Sequence, residues 1–220
     1  PANSEEPAPT ETVPTEPVPT DAAPEATPVA EEPSAFPMTV TDQIGNEVTV
    51  EHVAERIVSG YYISSSTCIA LGLKDKLVAT EEKNDKRPIY KLACIAAEPD
   101  LVILPKKAKD YAATLAEMGI PAIVVNPESH EQLVGMVNLI AQLTGAEEQA
   151  AALIARYDEV LAKIAELTAN IADDAKPVVY MCGTSSYLTT APKDMYQASV
   201  ITTAGGKNAG DELEGDSWVD

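Results

Sequence analysis

Residue types that commonly carry catalysis are scarce in this chain of 220 residues. It has two histidines, His52 and His130, whereas a zinc or manganese site usually draws on several histidine and carboxylate ligands. The chain contains no G-x-S-x-G, Walker or H-E-x-x-H pattern, the signatures of common hydrolases and nucleotide-binding enzymes. We therefore expect no catalytic residue, no metal site and no cofactor, and we interpret the protein as a non-enzyme.

Cysteine is equally sparse, with Cys68, Cys94 and Cys182 as an odd set that lacks C-x-x-C spacing. Each cysteine lies in an apolar stretch, which predicts buried and unreactive thiols. A disulfide framework is not indicated.

Basic residues are few as well: 15 Lys and Arg stand against 35 Asp and Glu, for a net charge of −20. Nucleic acid is excluded as a partner, since no basic stripe is present to neutralise phosphates. No apolar run approaches the roughly 18 residues of a membrane-spanning helix.

Residues 1–36 differ in composition from the rest, with nine prolines, eight acidic residues and no Lys or Arg. Such a segment cannot bury enough apolar surface to offset its ordering entropy, so it is predicted to be a disordered spacer. A dispensable tail is the alternative. Because the chain starts at Pro1 rather than Met, we also expect that an export signal or lipid-anchor segment has been removed.

From residue 37 onward, short apolar runs alternate with helical patterns. Met38–Thr41 and Val48–Val50 flank Gly45 and Asn46, a hairpin signal. The pattern predicts four further strands, at Arg56–Ser59, Lys76–Ala79, Asp100–Leu104 and Ala122–Val125. Helices are predicted from Ser64, with cap-forming serines in the first turn, over 108–118, and from a capping box at Ser129 to Leu143. This order predicts an α/β fold with a Rossmann-like parallel sheet.

A long helix over about 146–171 is the next feature, preceded by a second capping box, Thr144 to Glu147. We interpret it as a link between two lobes, the alternative being a coiled-coil segment. A strand at Pro177–Met181 and a helix at Asp194–Ala204 follow. The predicted domains are a spacer (1–36), an amino-terminal lobe (37–143), the linking helix (144–172) and the start of an incomplete carboxy-terminal α/β lobe (173–220).

Loops that follow parallel strands meet at one edge of a sheet, where ligands bind. The three loops in question are Gly60–Ser66, Pro105–Lys107 and Asn126–Ser129. Adjacent tyrosines offer flat rings with a polar end, and helix-start N–H groups accept anions. The candidate ligand-binding residues here are Gly60, Tyr61, Tyr62, Ser64, Ser65, Ser66 and Lys106. In the alternative interpretation the tyrosines only pack the loop and the serines only cap the helix.

Taken in order, several segments resemble the extracytoplasmic solute-binding proteins of ABC importers, in particular the group that carries iron–siderophores, haem and cobalamin. The segments are V-T-D-Q-I-G-N-E-V-T-V, A-L-G-L-K-D-K-L-V-A, P-D-L-V-I-L, G-I-P-A-I-V-V-N-P, L-I-A-Q-L-T-G, A-G-G-K-N and G-D-S-W-V, which together extend from about residue 37 to residue 220.

This resemblance implies two Rossmann-like lobes, joined by one long helix, with the ligand between them. It places Gly60–Ser66 in the cleft and adds Tyr187 and Trp218 from the second lobe. It further implies a membrane permease as partner, a small-molecule metal chelate containing iron or cobalt as ligand, a monomer, and a cell-surface lipoprotein or periplasmic location.

Two departures from the family pattern stand out. Lys91–Cys94 joins two segments that a longer stretch separates in the family, and the chain stops soon after Trp218, where the family continues. We therefore expect an incomplete second lobe that is poorly ordered or borrows an edge, because the strand at Pro177–Met181 has no partner strand. A cytoplasmic flavodoxin-like or nitrogenase-like enzyme, and a surface-anchored adhesion or structural module, are the alternative functions.

Overall fold

A parallel sheet of four strands holds most of the core in the computed structural model, which describes residues 35–81, 96–183, 186–215 and 217–219. The interpretation of residues 1–34 as a spacer, and of Cys94 as buried, falls outside these described residues. The strands of this sheet are β3 (Ile57–Ser59), β4 (Leu77–Thr80), β5 (Leu101–Pro105) and β6 (Ala122–Val125). They lie in the order β4-β3-β5-β6. The α/β class with a parallel sheet, expected from the sequence, is confirmed.

Both faces of the sheet are covered, which is why β5 and β6 are apolar throughout and fully buried. Ile103 and Ile123 belong to the cluster on one face, where α1 (Tyr62–Ala70) and α3 (His130–Thr144) pack. Val102 and Val124 belong to the cluster on the other face, beneath α2 (Asp110–Glu117). Alternate residues of each strand therefore enter different halves of the core.

An antiparallel hairpin of β1 (Met38–Thr41) and β2 (Glu47–Val50) precedes this sheet. Its loop is held by the buried carboxylate of Asp42, which accepts hydrogen bonds from Ile44 N and from Asn46 N and Nδ2 at 2.8–3.1 Å. The same carboxylate accepts from Val124 N at 3.0 Å. One side chain thus shapes the turn and attaches it to β6.

The first of the two predicted capping boxes is present. Ser129 caps α3 by accepting from Gln132 N at 3.1 Å, and the return bond is shifted by one residue, since Gln132 Oε1 accepts from Glu128 N at 2.9 Å rather than from Ser129 N. The second prediction was wrong. Thr144 still belongs to α3 and donates its hydroxyl to Ile140 O at 2.7 Å, so Ala146 precedes the next helix without a side-chain cap.

The long helix predicted near residues 146–171 is α4 (Glu147–Thr168), about 33 Å long. Ala150 is its one buried residue, while Leu153 and Ile154 pack at the border of the main core. Further along the helix, Leu167 is 72% exposed. The first turns of the helix therefore attach it to the main core, while Thr168 in its last turn lies close to Gly205.

Residues after α4 form a small unit of strand, helix and strand. Here β7 (Val178–Val179) pairs in parallel with β8 (Lys207–Asn208), and α5 (Tyr196–Thr203) connects them. The expectation that Pro177–Met181 has no partner strand was therefore wrong. Sequence reasoning missed β8 because two residues, Lys207 and Asn208, give no apolar strand pattern.

Of the two described cysteines, Cys68 is buried on α1, as predicted, whereas Cys182 is exposed, so its predicted burial was wrong. Cys182 follows an apolar run whose own Val178 and Tyr180 are 69% and 52% exposed, so the run lies at the surface. Over the ranges described above, no helix combines the length and the apolar character needed to cross a membrane.

A cleft at the carboxyl edge of the parallel sheet

The loops that follow β3, β5 and β6 meet around a cleft of about 520 Å³. A cavity of this size falls in the range of small-molecule sites. Parallel strands direct their carboxyl ends to the same side, and this explains why three loops separated in sequence converge. The lining residues are Tyr61, Tyr62, Pro105, Lys106, Lys107, Lys109, Val125, Asn126 and Glu128.

Tyr61 and Tyr62 supply the aromatic part of the lining. Their ring centroids lie 5.0 Å apart at an interplanar angle of 71°, an edge-to-face arrangement. Tyr61 is half-buried, and burial raises the pKa of its phenol above the usual value, with further contributions from Tyr62 and Glu128. Tyr62 is 64% exposed and presents its ring to the cleft.

The predicted site residues Gly60, Ser64, Ser65 and Ser66 support the tyrosines rather than line the cleft. Gly60 N donates to Ile103 O at 2.8 Å, which joins the loop to β5. Ser64 and Ser65 are buried, and each hydroxyl lies within hydrogen-bond distance of Tyr61 O. Their binding role therefore stays a prediction, and any effect on a ligand would act through the position of Tyr61.

The serine hydroxyls form a connected network at the end of β3. Ser59 Oγ lies 2.7 Å from Ser64 Oγ and accepts from Ser65 Oγ at 2.9 Å, while Ser65 Oγ also lies 2.5 Å from Glu81 Oε2. Ser66 is exposed and donates to Tyr62 O at 2.9 Å. Ser64, Ser65 and Ser66 thus lie inside α1 and bond back to carbonyls of Tyr61 and Tyr62, and the helix begins at Tyr62 with no side-chain cap. Their predicted role as caps was wrong.

Three lysines form the next part of the lining, on the loop beside that of the tyrosines. Pro105 ends β5, and the chain then makes a short 3-10 turn over Lys106–Ala108 that leads through Lys109 into α2. The turn leaves Lys106, Lys107 and Lys109 exposed on the cleft. Sequence reasoning selected Lys106 and missed the other two, although the K-K-A-K pattern follows directly after a predicted buried strand.

The third wall is the segment after β6, which carries Asn126 and Glu128. Asn126 N donates to Gln43 Oε1 at 2.8 Å, and Gln43 Nε2 donates to Gln132 O at 2.6 Å. The hairpin loop therefore holds this wall in place. Nothing in the local sequence marks Gln43 for this role, since its partners lie more than 80 residues away.

The two site residues predicted from the carboxy-terminal part, Tyr187 and Trp218, do not line this cleft within the described residues. Tyr187 is 77% exposed in a turn, where its carbonyl accepts from Tyr180 Oη at 2.9 Å. Trp218 lies over Gly183, where an added Cβ would stand 3.3 Å from the indole. Their participation in binding stays a prediction.

Chemically, the cleft offers aromatic rings, ammonium groups, an amide and one carboxylate, which is a set suited to holding a ligand. His52 and His130 lie elsewhere: His52 contacts Val53 O at 3.1 Å, and the His130 ring meets Tyr157 at 6.0 Å. No cluster of three or more metal-ligating side chains occurs among the residues whose structure is described.

Comparisons with known proteins agree with this architecture. The periplasmic binding protein family model matches residues 93–219. The chain is 27% identical over 203 residues to the uncharacterized ABC transporter substrate-binding lipoprotein YvrC of Bacillus subtilis, covering 84% of this chain and 64% of that protein. It is 26% identical over 196 residues to a cobalamin-binding protein of Halobacterium salinarum, covering 81% of this chain and 52% of that protein.

Among solved structures, the molybdate-bound periplasmic binding protein MolA of Haemophilus influenzae superposes with a TM-score of 0.72 at 14% identity. That match covers 83% of this chain and 68% of the other. The chain thus spans between about half and two thirds of the length of the curated relatives named here. Since the family model covers more than half of its residues, this chain belongs to the periplasmic binding protein family.

Proposed function

We propose that this protein is the substrate-binding component of an ABC importer, which captures an iron–siderophore, haem or cobalamin-type ligand and delivers it to a membrane permease. The observation that carries the proposal is the cleft where three strand-end loops bring Tyr61, Tyr62 and the lysines into one lining. A volume of about 520 Å³ and an aromatic wall suit a bulky chelate.

The names of the relatives support the same function. One is named as an ABC transporter substrate-binding lipoprotein and another as a cobalamin-binding protein. We propose that this protein is extracytoplasmic, as a cell-surface lipoprotein or a periplasmic protein. We also propose that it acts as a monomer. The protein binds and releases its ligand without changing it chemically.

In the proposed mechanism, the rings of Tyr61 and Tyr62 contact the flat faces of the chelate, while polar groups of the other two loops fix its orientation. The part after α4, with Tyr187 and Trp218, closes over the ligand from the opposite side. A continuous helix such as α4 resists bending, so closure is a small rotation. Docking on the permease then separates the two sides and releases the ligand.

Isothermal titration of the 220-residue chain with haem, cobalamin and ferric siderophores tests this function. We expect saturable binding of at least one of these ligands. The double variant Tyr61→Ala/Tyr62→Ala should abolish most of that binding, whereas Tyr157→Ala should retain it, because Tyr157 lies on α4 outside the cleft lining. Binding of none of these ligands, or equal loss in the control variant, would refute the proposal.

A further inference from the structure

Three of the chain's basic residues lie together at the cleft, although the chain as a whole is strongly acidic. The whole chain has 15 Lys and Arg against 35 acidic residues. Nevertheless, three lysines occur within four residues of the chain and all three line the cleft. Glu128 is the one carboxylate that the described lining contains. The cleft therefore carries excess positive charge on an acidic protein.

Two of these lysines lack an ion-pair partner among the described residues. Lys107 and Lys109 make no ion pair with any residue in the described ranges. Elsewhere in the molecule, Lys76, Lys193 and Lys207 each contact a carboxylate within 3.0 Å. As far as the described residues go, the ammonium groups of Lys107 and Lys109 are exposed at the cleft without a carboxylate partner, and both line the same cleft as Lys106.

The tyrosine wall complements these lysines without adding negative charge. Burial and the neighbouring Glu128 keep the pKa of Tyr61 above its ordinary value, so its hydroxyl stays a neutral phenol. A neutral phenol contacts a ligand by its ring and by a hydrogen bond. The cleft therefore combines neutral aromatic surface with cationic groups.

We infer that the ligand of this cleft is an anionic chelate with conjugated faces, whose rings lie on Tyr61 and Tyr62 and whose negative groups face Lys107 and Lys109. This inference rests on the proposed function and narrows it to one substrate class. A ferric tricatecholate and a haem with its propionates share this chemistry. A neutral ferric trihydroxamate lacks the negative charge and gains nothing from the lysines.

The lysines at the cleft must attract an anionic ligand against the negative charge of the whole protein. A net charge of −20 repels an approaching anion, so the attraction must come from groups within about 10 Å, the screening length at moderate salt. Repulsion by the more distant acidic groups is already largely screened at moderate salt, so further salt acts mainly on the contact with the lysines and weakens the binding of the anionic chelate. Binding of a neutral chelate has no such dependence.

The experiment is an equilibrium titration of the 220-residue chain with three probes: ferric enterobactin, haem and neutral ferrichrome. We expect at least one of the two anionic probes to bind about tenfold more tightly than ferrichrome, and to lose affinity as salt is raised. Comparing the affinities of ferric enterobactin and haem shows which of the two anionic chelates the cleft prefers.

The matched variants are Lys107→Gln/Lys109→Gln and the control Lys74→Gln/Lys163→Gln, whose lysines are exposed and lie outside the cleft lining. Both pairs change the net charge equally. The cleft pair should weaken the anionic probe about tenfold and leave ferrichrome unchanged, while the control pair should leave both unchanged.

Ferrichrome bound as tightly as the anionic probes, or equal losses in the two variants, would overturn the inference and leave the proposed function standing. Binding of no chelate, haem or cobalamin would overturn both.

Discussion

The ring of Tyr61 meets the ring of Tyr62 edge to face, with centroids 5.0 Å apart, although the two residues are adjacent in sequence. The arrangement is possible because Tyr61 is extended, with φ −146° and ψ 128°, while Tyr62 begins α1. The change of backbone conformation directs both side chains into one cleft. The side chain of Tyr61 is half-buried against the core, whereas that of Tyr62 is exposed to solvent.

This division predicts how Tyr62 contributes to binding. Tyr62→Ala should weaken chelate binding about tenfold, because an accessible stacking surface is lost. Tyr62→Phe keeps the ring and should bind like the wild type. Calorimetric titration of both variants with the best probe measures the difference. If Tyr62→Phe lost as much affinity as Tyr62→Ala, the hydroxyl rather than the ring would be the binding group.

The two described cysteines should differ sharply in reactivity. Cys182 is exposed, whereas Cys68 is fully buried on α1, and burial raises the pKa of its thiol from 9.0 to about 12. Since the thiolate is the reactive form, Cys182 should react rapidly with a thiol reagent and Cys68 only on unfolding. A Cys94→Ser background isolates these two thiols. Rapid modification of both in the native protein would contradict the structure.

Cys68 also gives a pH dependence with a defined sign. Its pKa is raised in the folded state, so the unfolded state releases the thiol proton first as pH increases. The contribution to stability is complete below pH 9 and is lost as pH rises toward 12. The unfolding free energy of the wild type should therefore fall more steeply over this range than that of Cys68→Ala, by up to about 1.4 kcal/mol per pH unit. Parallel urea-unfolding curves at several pH values provide the measurement.

Asp42 is expected to be the most sensitive polar residue of the hairpin. Asp42→Ala leaves four hydrogen-bond donors without their acceptor, including the buried amide of Val124. We expect a loss of about 3 kcal/mol in the unfolding free energy. Asp75→Ala, at an exposed aspartate in the short turn before β4, is the control and should change stability little. Similar small effects of both substitutions would show that the hydrogen bonds of Asp42 are not formed in solution.

Two glycine substitutions should change stability in opposite directions. Gly135 is exposed within α3, and a Cβ there would meet only Gln43 Nε2 at 3.4 Å, so Gly135→Ala should raise stability by about 0.5–1 kcal/mol. At Gly210 a Cβ would overlap Ala191 O, so Gly210→Ala should lower stability by about 1–3 kcal/mol. Thermal unfolding of both variants gives the comparison. A stable Gly210→Ala variant would show that the β8 end is not packed against Ala191.

The central sheet could be predicted because its signals are local. The strands β5 and β6 are short apolar runs, and Ser129 and Gln132 form a capping box from one stretch of sequence. The positions of Tyr61, Tyr62 and Lys106 in one cleft followed from the parallel topology. These predictions needed no knowledge of distant contacts.

Features that depend on competing or distant partners could not be predicted. Thr144 can cap a helix or bond back to Ile140, and the sequence does not show that the second outcome prevails. The serines of α1 have the same choice. The contribution of Gln43 depends on loop residues far along the chain, and the two residues of β8 are too few to give a periodic pattern.

The bridge from Gln43 to Asn126 and Gln132 has a consequence for how this protein's ligand preference can change over evolution. An insertion or deletion in the segment that carries Glu128 would displace both backbone groups that Gln43 joins. Such a change would survive only with a compensating replacement in the amino-terminal hairpin. Position 43 and the length of the 126–132 segment are therefore expected to covary among related sequences, although Gln43 is not among the residues that line the cleft.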